Sequence, residues 1–420
     1  MPGLLVITFF CLVAAALSFS SVSAYGLGNA FGVATGSVAV VAMSQCLILA
    51  ARPRLLEPLF GGLDHMYRAH KWLGITALGL MLVHNQFDPD FEHWVQESGI
   101  GDFAKDLGEV ALYGLITLIL LSWIKRLPVI GWEIPYQLWW FTHRLTGAFF
   151  ALVAVHQLLV DTPYSWNDPL AIYLNVFCAL GFGSYLFVEL LARRLRRRAY
   201  RVESLERHAG VAELALAPLG RPMRWHPGQF AFLNVPGFGL GEAHPFTITE
   251  PLQPTGRIRF AIKPLGDWTR RLPDRLSLGA TVEVEGPYGR FDFRKGGLKQ
   301  IWIAGGVGIT PFLAWAQSLA VDEQRSIYLL YTVRRESDAI GLDVLREVAK
   351  MVPAFSFDLV TSGHEGRLTA DGLVARAPFS PKDVDLFFCG PSDLRRAILR
   401  GLETRELAPK RAHFEYFEFR

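Results

Sequence analysis

The sequence predicts a multidomain membrane protein: a six-helix α bundle in its first half, then a β-barrel domain and an α/β domain. Three observations carry that reading. The chain of 420 residues is 51% hydrophobic and 19% charged, and the apolar bias is concentrated before position 193. Six apolar stretches near membrane-spanning length fill that half, at roughly 3–24, 31–51, 70–87, 108–124, 138–160 and 169–192. From Arg193 onward charges of both signs mix with alternating strand patterns and with Gly and Pro turns. The expected domains are 1–198, 199–298 and 299–420, and the sequence shows neither a low-complexity tract nor an internal repeat.

The first stretch could be taken for a signal peptide, because Val22-Ser23-Ala24 has the form of a cleavage site. Met1-Pro2-Gly3 lacks the basic start of such a peptide, so a retained helix is expected. Basic residues flank the later stretches at Arg52, Arg54, Arg68, Lys71, Lys125, Arg126 and Arg193 to Arg198. The 88–106 segment instead carries Asp88, Asp90, Glu92, Glu97, Asp102 and Asp106 against Lys105. The positive-inside rule then puts both termini in the cytoplasm and the acidic segment outside, in a multi-pass protein of the cell (inner) membrane.

Two apolar stretches each hold a pair of histidines, His70 with His84 and His143 with His156. The pairs are 14 and 13 residues apart, so each spans roughly 20 Å of helix. The third and fifth stretches run the same way, which sets His70 beside His143 and His84 beside His156. Buried imidazoles at membrane depth call for a partner, and two haem irons, each held by one histidine from each helix, supply it. A 14-residue gap returns to within about 40° of the same helix face, whereas 13 residues miss by about 140°. A local distortion is therefore expected in the second helix, near Gly147 or at a π-bulge. His65 and His93 have no such partner and read as loop residues. Cys11, Cys46, Cys178 and Cys389 form no framework, and the absence of C-x-x-C-H makes the expected haems non-covalent, of b type. A net charge of +3 with arginines at the membrane boundary gives no reason to expect nucleic acid.

Five stretches of interest come first in the second half. His226-Pro227-Gly228-Gln229-Phe230 precedes His244-Pro245-Phe246-Thr247-Ile248-Thr249. Lys263-Pro264-Leu265-Gly266-Asp267-Trp268-Thr269 and Gly286-Pro287-Tyr288-Gly289 follow. Last comes the strand Ile301 to Ala304, leading into Gly305-Gly306-Val307-Gly308-Ile309-Thr310-Pro311. Glycines let a backbone approach a pyrophosphate, and Pro311 suits a first helical turn. A strand from Ile327 to Tyr331 runs into Arg334-Arg335, a cationic pair where a 2′-phosphate is read, which favours NADPH over NADH, with NADH possible. Phe387-Phe388-Cys389-Gly390-Pro391 closes a later strand, and 413–420 alternates aromatic and polar residues. Taken singly, each is a strand ending in a turn.

In this order and spacing the stretches resemble the ferredoxin-NADP reductase superfamily, and the His-Pro-Phe-Thr form resembles its NADPH oxidase and ferric reductase branch. The resemblance covers almost the whole chain and includes a six-helix haem domain. It implies FAD with Phe246 and Thr247 along the isoalloxazine and His244, beside Pro245, near the phosphates or ribityl chain. His244 stands where soluble reductases usually have arginine. Lys263 would offset phosphate charge, and the Gly266 to Thr269 turn, with Trp268, would present N–H groups to the pyrophosphate. Gly305, Gly306, Gly308, Thr310 and Pro311 would hold the nicotinamide coenzyme, with Cys389, Gly390 and Pro391 facing its ring. A C-terminal aromatic would cover the flavin; Phe417 fits the Glu-x-Phe pattern, with Phe419 as the alternative. The implied activity is an NADPH oxidase passing electrons through FAD and two b-type haems to oxygen outside, giving superoxide, with no obligatory activator. A ferric-chelate reductase and an electron donor to a periplasmic protein are the alternatives.

Overall fold

The protein is seen in a computed structural model that describes residues 2–87, 89–91, 93–95, 99–124, 135–208, 210–239 and 241–415. The chain divides into two compact units, Met1–Leu195 and Arg196–Arg420.

The first unit is helical: α1 (Pro2–Val22), α2 (Leu27–Ala50), the short α3 (Glu57–Phe60), α4 (Leu63–Phe87), α5 (Gly101–Trp123), α6 (Tyr136–Arg144), α7 (Thr146–Leu159) and α8 (Pro169–Leu186). A π-helical turn, Phe187–Leu191, carries α8 into α9 (Ala192–Arg196). Among the described residues, five helices are long and apolar enough to cross a membrane: Pro2–Tyr25, Leu27–Ala50, Gly101–Trp123, Tyr136–Leu159 and Pro169–Arg196. That is one fewer than the expected six. The stretch expected at 70–87 lies in α4, which has 25 residues but carries Asp64, Arg68 and Lys71 early and Asn85 and Gln86 at its end. His65 also belongs to α4, in its first turn with Nε2 3.7 Å from Asp64, and is not a loop residue. Lys125, Arg126, Asp88, Glu92 and Glu97 lie outside the described residues.

The packing of this unit centres on α2, which lies against α1, α4 and α8. Its buried positions include Gly32, Ala34, Ser37, Ala39, Ala42 and Ser44. Without a hydrophobic drive between helices in lipid, such small residues gain packing by letting backbones approach. Ser44 shows how close: its hydroxyl donates to the Phe177 carbonyl of α8 at 2.5 Å.

The second unit holds two sheets. β1 (Arg197–His208), β2 (Val211–Pro218), β3 (Phe230–Asn234), β4 (His244–Thr247), β5 (Ile258–Ile262) and β6 (Thr281–Tyr288) pair antiparallel in the order β4-β3-β6-β1-β2-β5. Alternation along β1 buries Tyr200 and Val202 and exposes Arg201 and Glu203, which directs one face onto a core with Leu214, Phe260 and Val282. The expected barrel is not closed. β4 ladders with β3 through its four residues, whereas toward β5 a single bridge, Ile248 with Phe260, joins the two edges among the described residues. Between β5 and β6 lies α10 (Asp267–Arg275).

The other sheet is parallel. β7 (Lys299–Gly305), α11 (Thr310–Ala316), β8 (Ser326–Val333), α12 (Leu342–Met351), β9 (Phe355–Thr361), α13 (Ala370–Arg376), β10 (Asp385–Cys389), α14 (Ser392–Glu403) and β11 (Arg411–Phe414) follow in sequence. Strand order is β11-β10-β7-β8-β9. The chain therefore builds outward from β7 to β9, then returns to lay β10 on the other side of β7. A ligand crevice forms outside the carboxyl ends of strands at such a switch point, and that is where 305–311 and 389–391 lie.

Candidate functional site

The four membrane histidines meet in the pairs expected from their spacing. Ring centroids of His70 and His143 are 6.0 Å apart, and those of His84 and His156 are 6.5 Å apart. The helical distortion that permits this lies at Leu145, where α6 ends and α7 begins, two residues before Gly147. The π-helical turn is elsewhere, at Phe187–Leu191.

Each ring also has its Nδ1 occupied. His70 Nδ1 lies 3.0 Å from the Cys46 carbonyl oxygen, His84 Nδ1 2.8 Å from that of Gly32, and His156 Nδ1 2.7 Å from that of Ala104. His143 Nδ1 lies 2.9 Å from Ser122 Oγ. A carbonyl can only accept, so Nδ1 carries the proton in at least three rings and Nε2 is left with a lone pair. This is the arrangement of a metal-binding imidazole with its outer N–H anchored. Two metal–imidazole bonds of about 2.0–2.1 Å, with ring nitrogens roughly 1.1 Å from the centroid, separate trans imidazole centroids by about 6.3 Å. Both observed separations fit that figure, so the residues suit axial bis-histidine haem. Among the described residues no cluster of three or more His, Cys, Asp or Glu could hold a metal ion, and haem iron, with four porphyrin nitrogens, needs two protein ligands.

Two glycines make room for the outer rings. An ideal Cβ on Gly36 would lie 2.8 Å from His84 Nδ1, and one on Gly108 would lie 2.8 Å from His156 Nδ1. Each stands four residues after the carbonyl that anchors the ring, one helical turn along. Ala104, Gly108 and His156 each lie 72 residues after Gly32, Gly36 and His84. The α2–α4 and α5–α7 pairs thus carry an anchoring carbonyl, a notch glycine and a histidine at the same relative positions. The signal in the sequence was this common offset, obscured because His143 is 73 residues after His70.

In the antiparallel sheet β4 is an edge strand with His244, Pro245 and Phe246 half-buried and Thr247 buried. It pairs with β3 along one edge and gathers His244, Phe246 and Thr247 on one short strand, the residues that the resemblance assigns to a flavin. His244 packs on Trp268 with centroids 4.3 Å apart and planes tilted by 33°, and Phe246 stacks on it at 6.1 Å. Burial lowers the His244 pKa against the opposing pull of Glu242 and Asp267, favouring the neutral ring. The Gly266 to Thr269 turn departs from expectation. The Thr269 hydroxyl accepts the N–H groups of Leu265 and Gly266 at 3.0 and 2.9 Å, capping α10 and leaving those two donors engaged. Trp268 is 3% exposed and serves as the floor beneath His244 and Phe246.

At the switch point of the parallel sheet, the two glycine-bearing loops touch. A Cβ on Gly305 would lie 2.7 Å from Pro391 Cδ, and one on Gly390 would lie 2.9 Å from Gly305 Cα. Gly308, Thr310 and Pro311 are buried behind them as α11 begins. Gly306 is different: its φ is +56° and its Cβ position is open, with Lys263 Nζ 3.9 Å away. Close backbone approach to a pyrophosphate is possible there, beside a cation. Cys389 is buried, and burial pushes its thiol far up, so it is a neutral thiol. Glu415, the acidic residue of the Glu-x-Phe pattern, lies here too, its Oε1 2.9 Å from an ideal Cβ on Gly289 and its charge felt by Cys389. Arg334 and Arg335 follow β8, but Arg335 is tied to Asp338 at 2.9 Å, leaving Arg334 as the more available cation. Phe417 and Phe419 lie outside the described residues. The strand leading to them is held by His413, whose Nε2 lies 3.0 Å from Asp385 Oδ1. Burial raises the Asp385 pKa, but the Gly297 N–H and His413 outweigh it and keep the carboxylate charged.

Comparison with known proteins agrees with this division. Residues 35–154 match the ferric reductase like transmembrane component, 208–292 an FAD-binding domain and 302–399 an oxidoreductase NAD-binding domain. The chain is 28% identical to ferric reduction oxidase 8 of Arabidopsis thaliana, over 69% of its own length and 40% of that protein's. It is 28% identical to the electron transfer component of 2-halobenzoate 1,2-dioxygenase of Burkholderia cepacia, over 46% of its length and 58% of that protein's. The chain thus spans 40–58% of these relatives. A flavohemoglobin from Malassezia yamatoensis shares the fold, with 18% identity, a TM-score of 0.52, and coverage of 93% of this chain and 98% of that one. The chain thus carries, in order, a segment that matches the ferric reductase like transmembrane component, an FAD-binding domain and an oxidoreductase NAD-binding domain, and it is similar to a plant ferric reduction oxidase over 69% of its length.

Proposed function

We propose that the chain conducts electrons across the cell membrane from cytoplasmic NADPH to an acceptor outside. The observation that supports it best is the pair of anchored bis-histidine sites, at 6.0 and 6.5 Å, in membrane helices of a protein with FAD-binding and NAD-binding domains. When bound, FAD converts the two electrons of a hydride into single electrons, and two b-type haems relay them. His70 and His143 hold the inner haem, and His84 and His156 the outer. His244, Phe246 and Thr247 seat the flavin over the Trp268 floor, and Lys263 offsets phosphate charge. Gly306 admits the coenzyme pyrophosphate, while Cys389 and Gly390 bound the nicotinamide pocket. Phe417, with Phe419 as the alternative, would be the aromatic that covers the flavin until nicotinamide displaces it. Both termini lie in the cytoplasm, an arrangement that counts the 25-residue α4 as a crossing helix beside the five more apolar ones, and the domains divide at 198 and 298.

Oxygen, reduced to superoxide, is the acceptor in the first reading. Chelated ferric iron is the second, favoured by the names of two relatives, ferric reduction oxidases 8 and 7 of Arabidopsis thaliana. NADPH oxidation by the purified chain with FAD, followed by dismutase-sensitive cytochrome c reduction and by ferrous-chelate formation, separates them. Dismutase-sensitive reduction supports oxygen; ferrous product insensitive to dismutase supports iron. No NADPH oxidation with either acceptor contradicts the proposal.

Coenzyme choice gives a second test. Charge-assisted hydrogen bonds contribute on the order of 1.5–3 kcal/mol, so Arg334→Ala is expected to raise KM for NADPH about tenfold and leave KM for NADH nearly unchanged. Arg335→Ala should do less, because Asp338 already engages Arg335. Equal losses for both coenzymes would refute a 2′-phosphate role.

A further inference from the structure

Three of the four histidine anchors are backbone carbonyls; the fourth, Ser122 Oγ, is a side chain that substitution can remove. We infer that Ser122 is a positioning residue that tunes the redox potential of the inner haem through His143, an inference that rests on the haem reading above.

The Ser122 hydroxyl has one proton, and it goes to the Leu118 carbonyl one turn back in α5, at 2.8 Å. Its lone pairs therefore face His143 Nδ1 at 2.9 Å, where they accept the ring N–H. Donation to Leu118 polarises the hydroxyl and strengthens it as an acceptor. An accepted Nδ1–H makes the imidazole more basic at Nε2 and a better donor to iron. Stronger donation favours the oxidised metal and holds the potential down. The partner ligand, His70, is anchored by the fixed Cys46 carbonyl and does not depend on Ser122.

A second contact keeps His143 in place when the hydroxyl is removed. Trp139 stacks on the imidazole with centroids 5.4 Å apart and planes at 15°. Ring orientation therefore survives in Ser122→Ala while the hydrogen bond is lost, so electronic and structural effects can be told apart.

The test is a spectroelectrochemical titration of the purified full chain as wild type, Ser122→Ala and Ser122→Thr, with haem counted in each by the pyridine haemochrome assay. In Ser122→Ala both haems stay low-spin, and one midpoint moves positive while the other stays put. The expected shift is on the order of a tenfold change in the oxidised-to-reduced ratio at fixed potential, about 59 mV for one electron. Ser122→Thr retains the hydroxyl and keeps the wild-type values. Unmoved midpoints in Ser122→Ala, equal shifts of both haems, or an equal shift in Ser122→Thr overturn the tuning role. So does loss of one haem from Ser122→Ala, which would make the residue an anchor only. A wild-type chain without haem instead overturns the reading on which the inference rests.

Discussion

His70→Ala or His143→Ala leaves one haem per chain, and so does His84→Ala or His156→Ala; any of the four stops electron delivery across the membrane. In the proposed reading each haem would take two protein ligands, one from α4 and one from α6 or α7, and removing one would leave a single histidine to hold it. Loss of the inner site and loss of the outer site differ in what remains. With His143→Ala, NADPH still reduces the flavin, but neither haem is reduced at the wild-type rate. With His156→Ala, the inner haem is still reduced and the acceptor outside receives nothing. Stopped-flow spectra after mixing with NADPH under anaerobic conditions distinguish the two. Full haem content in all four variants would contradict the ligand assignment.

Gly36→Val and Gly108→Val are expected to empty the outer site while leaving the inner one. The first branch of the new side chain would already fall 2.8 Å from the histidine Nδ1, where real Cβ contacts do not occur, and the anchoring carbonyl would be covered. Loss of such an outer-shell partner commonly costs 10–100-fold in metal affinity, and steric displacement of the ring adds to it. Gly36→Ala should be milder, since only the Cβ must be accommodated. Gly183→Val in α8 is the control, because an ideal Cβ there meets nothing within 4 Å. The measurement is haem content after detergent extraction and gel filtration. Equal retention in Gly108→Val and Gly183→Val would show that the glycine has no part in seating His156.

Much of this arrangement was legible in the sequence, because the histidine pairs are long-range periodic features of apolar helices. The 13-residue gap even called for a distortion between His143 and His156, and the chain breaks at Leu145. What seats the rings was not legible, since an anchor such as the Ala104 carbonyl belongs to another helix 52 residues away. Gly36 and Gly108 looked like ordinary small residues until the ring that fills each notch was in place. At α4 the apolar stretch 70–87 was legible but the helix bounds were not: the helix begins at Leu63, and Asp64, Arg68 and Lys71 in its first turns lower its apolarity.

In the second unit, strands and glycine loops followed from alternation and turn chemistry, but closure did not. Whether six strands close into a barrel depends on how the edge strands pair, and a single bridge, Ile248 with Phe260, joins them among the described residues. Local competition was also invisible. Thr269 takes the Gly266 N–H that seemed free for phosphate, along with that of Leu265, and Asp338 takes the guanidinium of Arg335.

Haem stoichiometry bears on all of this at once. The purified full chain, measured by pyridine haemochrome against protein concentration, is expected to contain two b-type haems per chain, both low-spin. A chain that contains none, or one, contradicts two bis-histidine sites and with them the proposed path across the membrane.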